Sequence, residues 1–373
     1  MPPCPAPTAI FQALGHDTTR MVGGCVRNTL MGYPVTDVDF ATTLTPDNVV
    51  SMLERCGVSA QDRYARYGTI VAYTGGHSYE ITTLRSDHAA DGRYAQVVFT
   101  DQWDQDAQRR DFTMNALYQD AAGTIHDPLR GMVDLKNRFV RFIGNPNDRI
   151  IEDHLRILRY MRMAAWYQGA DVPLCQDALM ACAQNRHRLA TLSAERIMAE
   201  MIKLLAAPQM PRMLAEMHTS NITAPHLPPF DGGERAARLM GFFDLPVDQA
   251  KAALLILCQA PEVILTTWPL TRSQRRWFQH ALTGQDWTSP EALLARALSR
   301  ETDDTAARAL FDQWWNRRTP PITAADLMAA GVPQGPELSK RLTLAQHLWQ
   351  QDATMTRGGL LGVASARPIA LNL

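Results

Sequence analysis

The residue types best suited to chemistry fall in three clusters within the first half of the chain. The first is Gly23-Gly24-Cys25-Val26-Arg27, followed ten residues after the arginine by Asp37-Val38-Asp39. Two glycines after an apolar run let the backbone approach a bulky anion, and an arginine can neutralise and orient phosphate oxygens. On a strand, residues i and i+2 share a face, so Asp37 and Asp39 are expected to point the same way. Two carboxylates held together are costly unless a cation lies between them. One or two Mg²⁺ bound there would suit an in-line attack on a nucleotide α-phosphate. Alone, an Asp-x-Asp is a solvated turn or strand edge; the glycine-arginine turn before it is what points to phosphate chemistry. Glu80, in the strand-like SYEITTL, is either a third acidic group beside that pair or a solvent-facing glutamate.

The second cluster is Arg109-Arg110-Asp111-Phe112-Thr113-Met114-Asn115-Ala116. Adjacent arginines beside an aspartate and an asparagine can hold a triphosphate and a ribose, whereas an isolated Arg-Arg-Asp is more simply a structural salt bridge. The third runs from Glu152-Asp153-His154-Leu155-Arg156 through Arg159 to Arg162. Three apart on one helix, Asp153 and Arg156 form a joint polar surface. A carboxylate acceptor beside guanidinium donors can match the hydrogen-bonding edge of a base. Each three-residue step turns ~60° back around the helix. Asp153 and Arg162 are therefore expected on nearly opposite sides, and in isolation this helix reads as carrying ordinary surface ion pairs.

Such side chains need a frame. To about Asn145 the chain mixes strand-like and turn-like segments. Arg20 to Gly24 is a short strand entering a glycine turn, and Val35 to Thr42 alternates. Gly68 to Tyr73 and Ser78 to Leu84 read as strands joined through Gly75-Gly76. Gln96 to Thr100 is β-branched, and Met114 to Tyr118 with Gly123 to Ile125 suggests a further pair. From Asp148 onward, apolar residues recur at helical spacing. One long helix starts at Ile150, with Asn145 or Asn147 as its cap, and another at Ser193. Proline-rich breaks at Ala224 to Pro229, Thr288 to Pro290 and Thr319 to Pro321 separate later helices. Over 373 residues, 46% hydrophobic and 20% charged, this predicts an α/β head followed by an all-helical remainder.

Lys plus Arg (37) nearly cancels Asp plus Glu (38), so a nucleic-acid partner would have to use a local basic patch. Arg130 to Arg162 supplies one, with Arg130, Lys136, Arg138 and Arg141 among its cations. Arg272, Arg275 and Arg276 beside Trp277 form either a second RNA contact or a solvated helix face. The stretch Gly331 to Pro336 is either a helix start facing a phosphate or only a turn. The six cysteines show no metal-like spacing and read as reduced, packed thiols. Without a signal-peptide pattern or a run of ~18 apolar residues, the cytoplasm is the expected compartment.

The motifs GGCVRN, DVD, EITTLR, RRDFTMNA, DPLRGMVDL, IEDHLRILRYMR and SAERIMAEMIKLL, in this order from about Val22 to Leu205, resemble the class II tRNA nucleotidyltransferase (CCA-adding enzyme) and bacterial poly(A) polymerase family. The resemblance implies an α/β nucleotidyltransferase (polymerase-β-like) head with a mixed sheet at 1–147. A helical neck that recognises the nucleobase follows at 148–210, then a helical body and tail that bind tRNA at 211–373. By it, Asp37 and Asp39 hold catalytic Mg²⁺, and Gly24, Arg27 and Arg110 contact the nucleotide. Asp153, Arg156, Arg159 and Arg162 form the base-reading face, and Arg93 lies in a loop linked to the switch from C to A. The implied activity is template-independent addition of CCA to the tRNA 3′ end from CTP and ATP, with pyrophosphate released. Poly(A) addition, A-only or C-only tRNA addition and non-catalytic RNA binding are the alternatives. No protein partner is expected. Three positions depart from the family pattern: Asn28 stands where Asp is usual, removing a charge beside Arg27; Tyr67 stands where His is usual; and Met163 stands for a neck phenylalanine.

Overall fold

The computed structural model describes residues 7–87, 97–222, 227, 229–230, 233–242, 244–245, 248–258, 261–282, 289–300, 303–316, 322–351 and 355–366. These residues form two compact units, one of residues 1–192 with 220–222, the other of 193–219 with 223–373. Arg93, Cys4 and most of the three proline-rich breaks lie outside the described residues.

The first unit is built on a seven-stranded sheet. Its strands are β1 (Thr19–Val22), β2 (Asp39–Thr42), β3 (Ser59–Tyr64), β4 (Thr69–Thr74) and β5 (His77–Thr83), and β8 (Tyr118–Gln119) and β9 (Ile125–His126) complete it. Their order is β3-β4-β5-β2-β1-β8-β9, and a separate ribbon pairs β6 (Arg85–Asp87) with β7 (Val97–Phe99). The large sheet is mixed as expected, because β2 runs parallel to β5 while β1 is antiparallel to both β2 and β8. Gly75 and Gly76 turn β4 into β5 with φ of 59° and 77°, the doubly left-handed turn that matches strand twist. Helices α1 (Thr8–Leu14), α2 (Gly24–Met31), α3 (Pro46–Arg55), α4 (Trp103–Gln108) and α5 (Gly131–Lys136) complete the head. Phe40 anchors one core, its ring edge-on to Phe11 at 5.3 Å and packed against Tyr79 at 6.0 Å.

Three expectations need correction. The alternating stretch from Val35 becomes a strand only at Asp39. Its antiparallel partner β1 ends opposite, at Val22, where the chain turns into α2, and although β5 extends back to His77, its ladder with β2 also begins only at the Asp39–Glu80 pair. Met114 lies in a 3-10 turn (Thr113–Asn115) rather than a strand. The backbone of Gly131 is pressed so closely to this turn that an added Cβ would come within 2.2 Å of the Thr113 carbonyl oxygen. The long helix from Ile150 is two helices, α6 (Pro146–Glu152) and α7 (Arg156–Tyr167). Asp153 interrupts it with extended dihedrals, φ −147° and ψ 107°, and its Oδ1 accepts from the Leu155 amide at 3.1 Å. A short aspartate can offer the backbone this local alternative to the helical bond. Asn145 caps α6 as expected, accepting from the amides of Asn147 and Asp148.

Helix α8 (Gln176–Asn185) closes the first unit. The second unit's described residues form the helices α9 (Ala194–Leu205), α10 (Met210–Thr219), α11 (Glu234–Met240), α12 (Gln249–Leu257), α13 (Pro261–Thr267), α14 (Arg272–Leu282), α15 (Pro290–Arg300), α16 (Asp304–Asn316), α17 (Ala324–Ala329), α18 (Pro336–Gln351) and α19 (Arg357–Ser365), with an isolated antiparallel bridge between Phe230 and Cys258. No helix among the described residues is long and apolar enough to cross a membrane. The five described cysteines are free thiols, with Cys25, Cys182 and Cys258 buried and Cys56 exposed.

Candidate active site

The site begins where β1 ends. Gly23 carries φ 79° and ψ −126°, a conformation essentially confined to glycine, and directs the chain into α2. The absent side chain also leaves room: a Cβ here would lie 3.8 Å from Arg110 Nη1 and from the Asn115 carbonyl oxygen. In register, Val22 faces Asp39 on β2, and Asp39 faces Glu80 on β5. Sheet pairing therefore gathers the start of α2, Asp39, Glu80 and Arg110 at one end of the sheet. Val38 is turned into the core, with exposed Asp37 and half-buried Asp39 flanking it. Asp37 precedes the strand, and its charge reaches Asp39 closely enough to raise the Asp39 pKa.

Burial, then the charge of Glu80, pushes the Asp39 carboxyl up to about 6; Arg110 opposes this and Asp37 adds to it. The acidic group left open by the sequence is thus an electrostatic neighbour of Asp39. Hard carboxylate oxygens that repel one another suit a divalent cation. No group of three or more His, Cys, Asp or Glu among the described residues forms a metal cage.

Arg110 is fixed by Asp106, which sequence reasoning missed. Its Nη2 lies 2.8 Å from Asp106 Oδ2, and Tyr118 donates its hydroxyl to the same oxygen at 2.8 Å. Arg109 reaches the other oxygen at 2.6 Å. Burial would lower the Arg110 pKa, but Asp106 and Tyr118 raise it above its usual value. Burial would raise the Asp106 carboxyl, yet the two guanidiniums hold it below the ordinary carboxylate range. The signal was present as the i,i+4 spacing of Asp106 and Arg110. The salt-bridge reading holds for both Arg109 and Arg110, with Asp106 as the partner.

Arg27 differs from expectation. Only 6% exposed, it engages all five N–H donors inside the protein. Nε and Nη2 donate to Asn28 Oδ1 at 3.1 and 2.9 Å, and Nη2 also to the Tyr167 hydroxyl at 2.7 Å. Nη1 donates to Asn115 Oδ1 and to Met163 Sδ. Direct contact with a phosphate would require breaking one of these bonds. Asn28 does not loosen it, since a carboxamide oxygen accepts as a carboxylate does. The partners are neutral, so the charge persists, and burial lowers the Arg27 pKa. Gly24, at the first turn of α2, lies close enough that a Cβ would be 3.6 Å from Arg27 Nη2.

From Arg27 a chain of bonds crosses to α7. Asn115 Nδ2 donates to Asp111 Oδ1 at 3.0 Å, and Arg159 Nε donates to Asp111 Oδ2 at 2.8 Å. Burial opposes ionisation of Asp111, but Arg159, Asn115 and the Phe112 amide hold its pKa below the usual range. Arg162 is near enough that its charge further lowers the Arg27 pKa. Arg159 and Arg162 therefore converge with Arg27, while Asp153 and Arg156 do not form the expected three-apart pair on one helix. Arg156 pairs with Glu152 at 2.5 Å and donates to the Arg149 carbonyl at 2.8 Å. Of the basic segment, Arg130, Lys136, Arg138 and Arg141 are exposed, Arg141 while paired with Asp134 at 3.1 Å, whereas Arg149, Arg156 and Arg159 are less exposed and tied into ion pairs. On α14, Arg272 and Arg276 are exposed, and Arg275 donates to the Leu265 carbonyl.

A mixed sheet presenting paired aspartates beside a glycine turn, followed by helices, is a nucleotidyltransferase head with a helical extension. The chain matches the family described as "Poly A polymerase head domain" over residues 19–141, and "Probable RNA and SrmB- binding site of polymerase A" over 174–232. It is 34% identical to the CCA-adding enzyme of Geobacillus stearothermophilus over 322 residues, 81% of this chain and 78% of that protein. It is 38% identical over 221 residues to the mitochondrial CCA tRNA nucleotidyltransferase 1 of Mus musculus, covering 59% of this chain. The chain spans about half the length of that mouse protein, 50%. A crystal structure of the Bacillus stearothermophilus CCA-adding enzyme in complex with CTP superposes with a TM-score of 0.65 at 25% identity, covering 97% of this chain and 98% of that one. This chain belongs to the family of CCA-adding enzymes and bacterial poly(A) polymerases.

Proposed function

We propose that this protein adds C and A nucleotides to the 3′ end of tRNA from CTP and ATP without a template, with the cytoplasm its expected compartment. The observation that carries the reading is the pair Asp37 and Asp39, with the Asp39 carboxyl pushed up to about 6 beside Arg110 and the Gly23-Gly24 turn. The similar proteins named above give the substrate class. In this reading residues 1–147 hold the chemistry, 148–210 read the base, and 211–373 hold tRNA.

The 3′-hydroxyl oxygen of the RNA bonds to the α-phosphorus of the nucleotide as its O–H bond breaks and the proton passes to solvent water. The bond from that phosphorus to the bridging oxygen breaks, and pyrophosphate leaves with the electron pair. Asp37 and Asp39 would hold Mg²⁺, which when bound supplies Lewis acidity to the hydroxyl and the departing phosphate. Arg110, kept charged and oriented by Asp106, faces the triphosphate. Arg27 adds positive potential at the start of α2 without needing to touch the substrate. Glycine at 23 and 24 lets the backbone approach phosphate oxygens. Most of the rate enhancement is positioning and electrostatics, as expected for phosphoryl transfer. Asp153, Arg156, Arg159 and Arg162 are the proposed base-reading set. For Asp153 and Arg156 this requires Glu152 and the Leu155 amide to share their partners with the base.

Incubating the protein with tRNA lacking one, two or three terminal nucleotides, and with CTP and ATP separately and together, tests the proposal. Addition of C, C and A with termination is the expected product. Extension by A alone, open-ended A addition, or no addition with Mg²⁺ would each overturn it.

A further inference from the structure

Helix α4 ends at Gln108, two residues before Arg110, and carbonyls at a helix C-terminus lack intrahelical donors. Arg149, 41 and 39 residues further along the chain, directs Nη2 to the Gln108 and Arg110 carbonyl oxygens at 3.0 and 2.7 Å. Arg156 Nη2 donates to the Arg109 carbonyl between them at 3.3 Å. Three consecutive carbonyls are thus held by guanidiniums from α6 and α7, the cationic partners that suit a helix C-terminus. Glu152 fixes Arg149 in turn, accepting from its Nη1 at 2.8 Å, and the Arg149 side chain is only 12% exposed. The next residues are secured by other means. The Asp111 carbonyl accepts from the Ile143 amide at 3.0 Å, and the Thr113 amide donates to the Arg141 carbonyl at 3.1 Å. Arg110 is therefore gripped at both ends, its guanidinium by Asp106 and Tyr118 and its main chain by Arg149.

We propose that Arg149 is a positioning residue for the incoming triphosphate: it bridges the carbonyls on either side of Arg109 and so fixes the backbone from which Arg110 faces the phosphates. The inference rests on the proposed function, which gives Arg110 that task. Arg156 shares in the clamp, but as a member of the proposed base-reading set it has to share its donors with the base. Arg149 is outside that set and keeps the clamp while the base is read. A lysine at this position would carry the charge without the planar fork. It offers one nitrogen where the arginine uses one for Glu152 and another for the two carbonyls.

Equilibrium binding of CTP and of CMP to the full chain without tRNA tests this, and neither measurement needs turnover. Arg149→Ala should bind CTP roughly fivefold more weakly while CMP affinity stays within about twofold, because CMP lacks the pyrophosphate portion. Arg110→Ala and the double variant complete a cycle that isolates the coupling between the two arginines. Because Arg149 acts through Arg110, Arg149→Ala should cost less than about twofold more in the Arg110→Ala background. Arg149→Lys should lose roughly threefold for CTP, and it replaces the alanine variant throughout if that chain does not fold. Wild-type CTP affinity in the folded variant, an equal loss for CTP and CMP, or an undiminished further loss in the Arg110→Ala background would each overturn the proposal. Failure of the wild-type chain to bind CTP or to extend tRNA would instead sink the proposed function.

Discussion

The Asp39 carboxyl sets the electrostatics of the site. Its pKa in the folded, metal-free protein stands at about 6 against an ordinary 3.8, so the folded state holds the proton more tightly than the unfolded chain. The stabilising contribution is complete below the unfolded value and is lost as pH rises through 6. Asp39→Asn should therefore melt higher than the metal-free wild type at pH 8, by a margin that shrinks toward pH 4, while abolishing nucleotide incorporation. A cation favours the ionised carboxylate, so metal binding follows the opposite trend. Mg²⁺ or Mn²⁺ affinity should fall about tenfold per pH unit below about 6 as one proton competes, which titration calorimetry between pH 5 and pH 8 would measure. Asp106 acts differently. Fully buried and paired with two arginines, it should cost about 3–5 kcal/mol of stability when changed to Ala. Chemical denaturation would measure that loss, and CTP affinity should drop with it because Arg110 loses its anchor.

Local elements deliver these groups through a few backbone decisions. Helix α6 starts at Asn145, whose side chain satisfies two of the helix's free amides. Asn145→Ala should cost about 1 kcal/mol in denaturant unfolding. The contact of Gly131 with the 3-10 turn that carries Asn115 leaves no space for a methyl group. Gly131→Ala should cost about 3 kcal/mol, with loss of activity from displacement of Asn115 and Arg27. Both positions lie outside the carboxylates, so each tests whether the frame or the chemistry fails first. Asp153 shows why helical periodicity overreached: the apolar spacing continues through 150–161, but the aspartate carboxylate offers the Leu155 amide a shorter-range partner. Asp39 shows the converse, since alternation in the sequence begins at Val35 whereas the ladders to β1 and β5 both begin at Asp39.

Across the whole chain, near-neutral charge leaves RNA attraction to surface clusters. The exposed cations around α5 are Arg130, Lys136, Arg138 and Arg141. Reversing one of them, Lys136→Glu, should weaken tRNA binding several-fold and shallow the dependence of log affinity on log salt by about one. Filter binding between 50 and 200 mM salt, on the order of the range over which such slopes are resolved, checks this, and the melting temperature should not move. Residues Arg149, Arg156 and Arg159, equally basic in sequence, are committed to Glu152 and Asp111 and should contribute less to that slope.

The covalent order of residues fixed the chemical types and the periodicities. The Gly75-Gly76 hairpin, the Asn145 cap and the change from mixed to helical structure all follow from local geometry acting over a few residues. Tertiary structure decided which opposite charges meet. Arg27 lies 88 residues from Asn115 and 140 from Tyr167 along the chain, and Arg159 lies 48 from Asp111. Such pairings depend on how strands and helices close on one another, and burial then decides whether an arginine faces substrate or stays enclosed. Local spacing carries neither quantity.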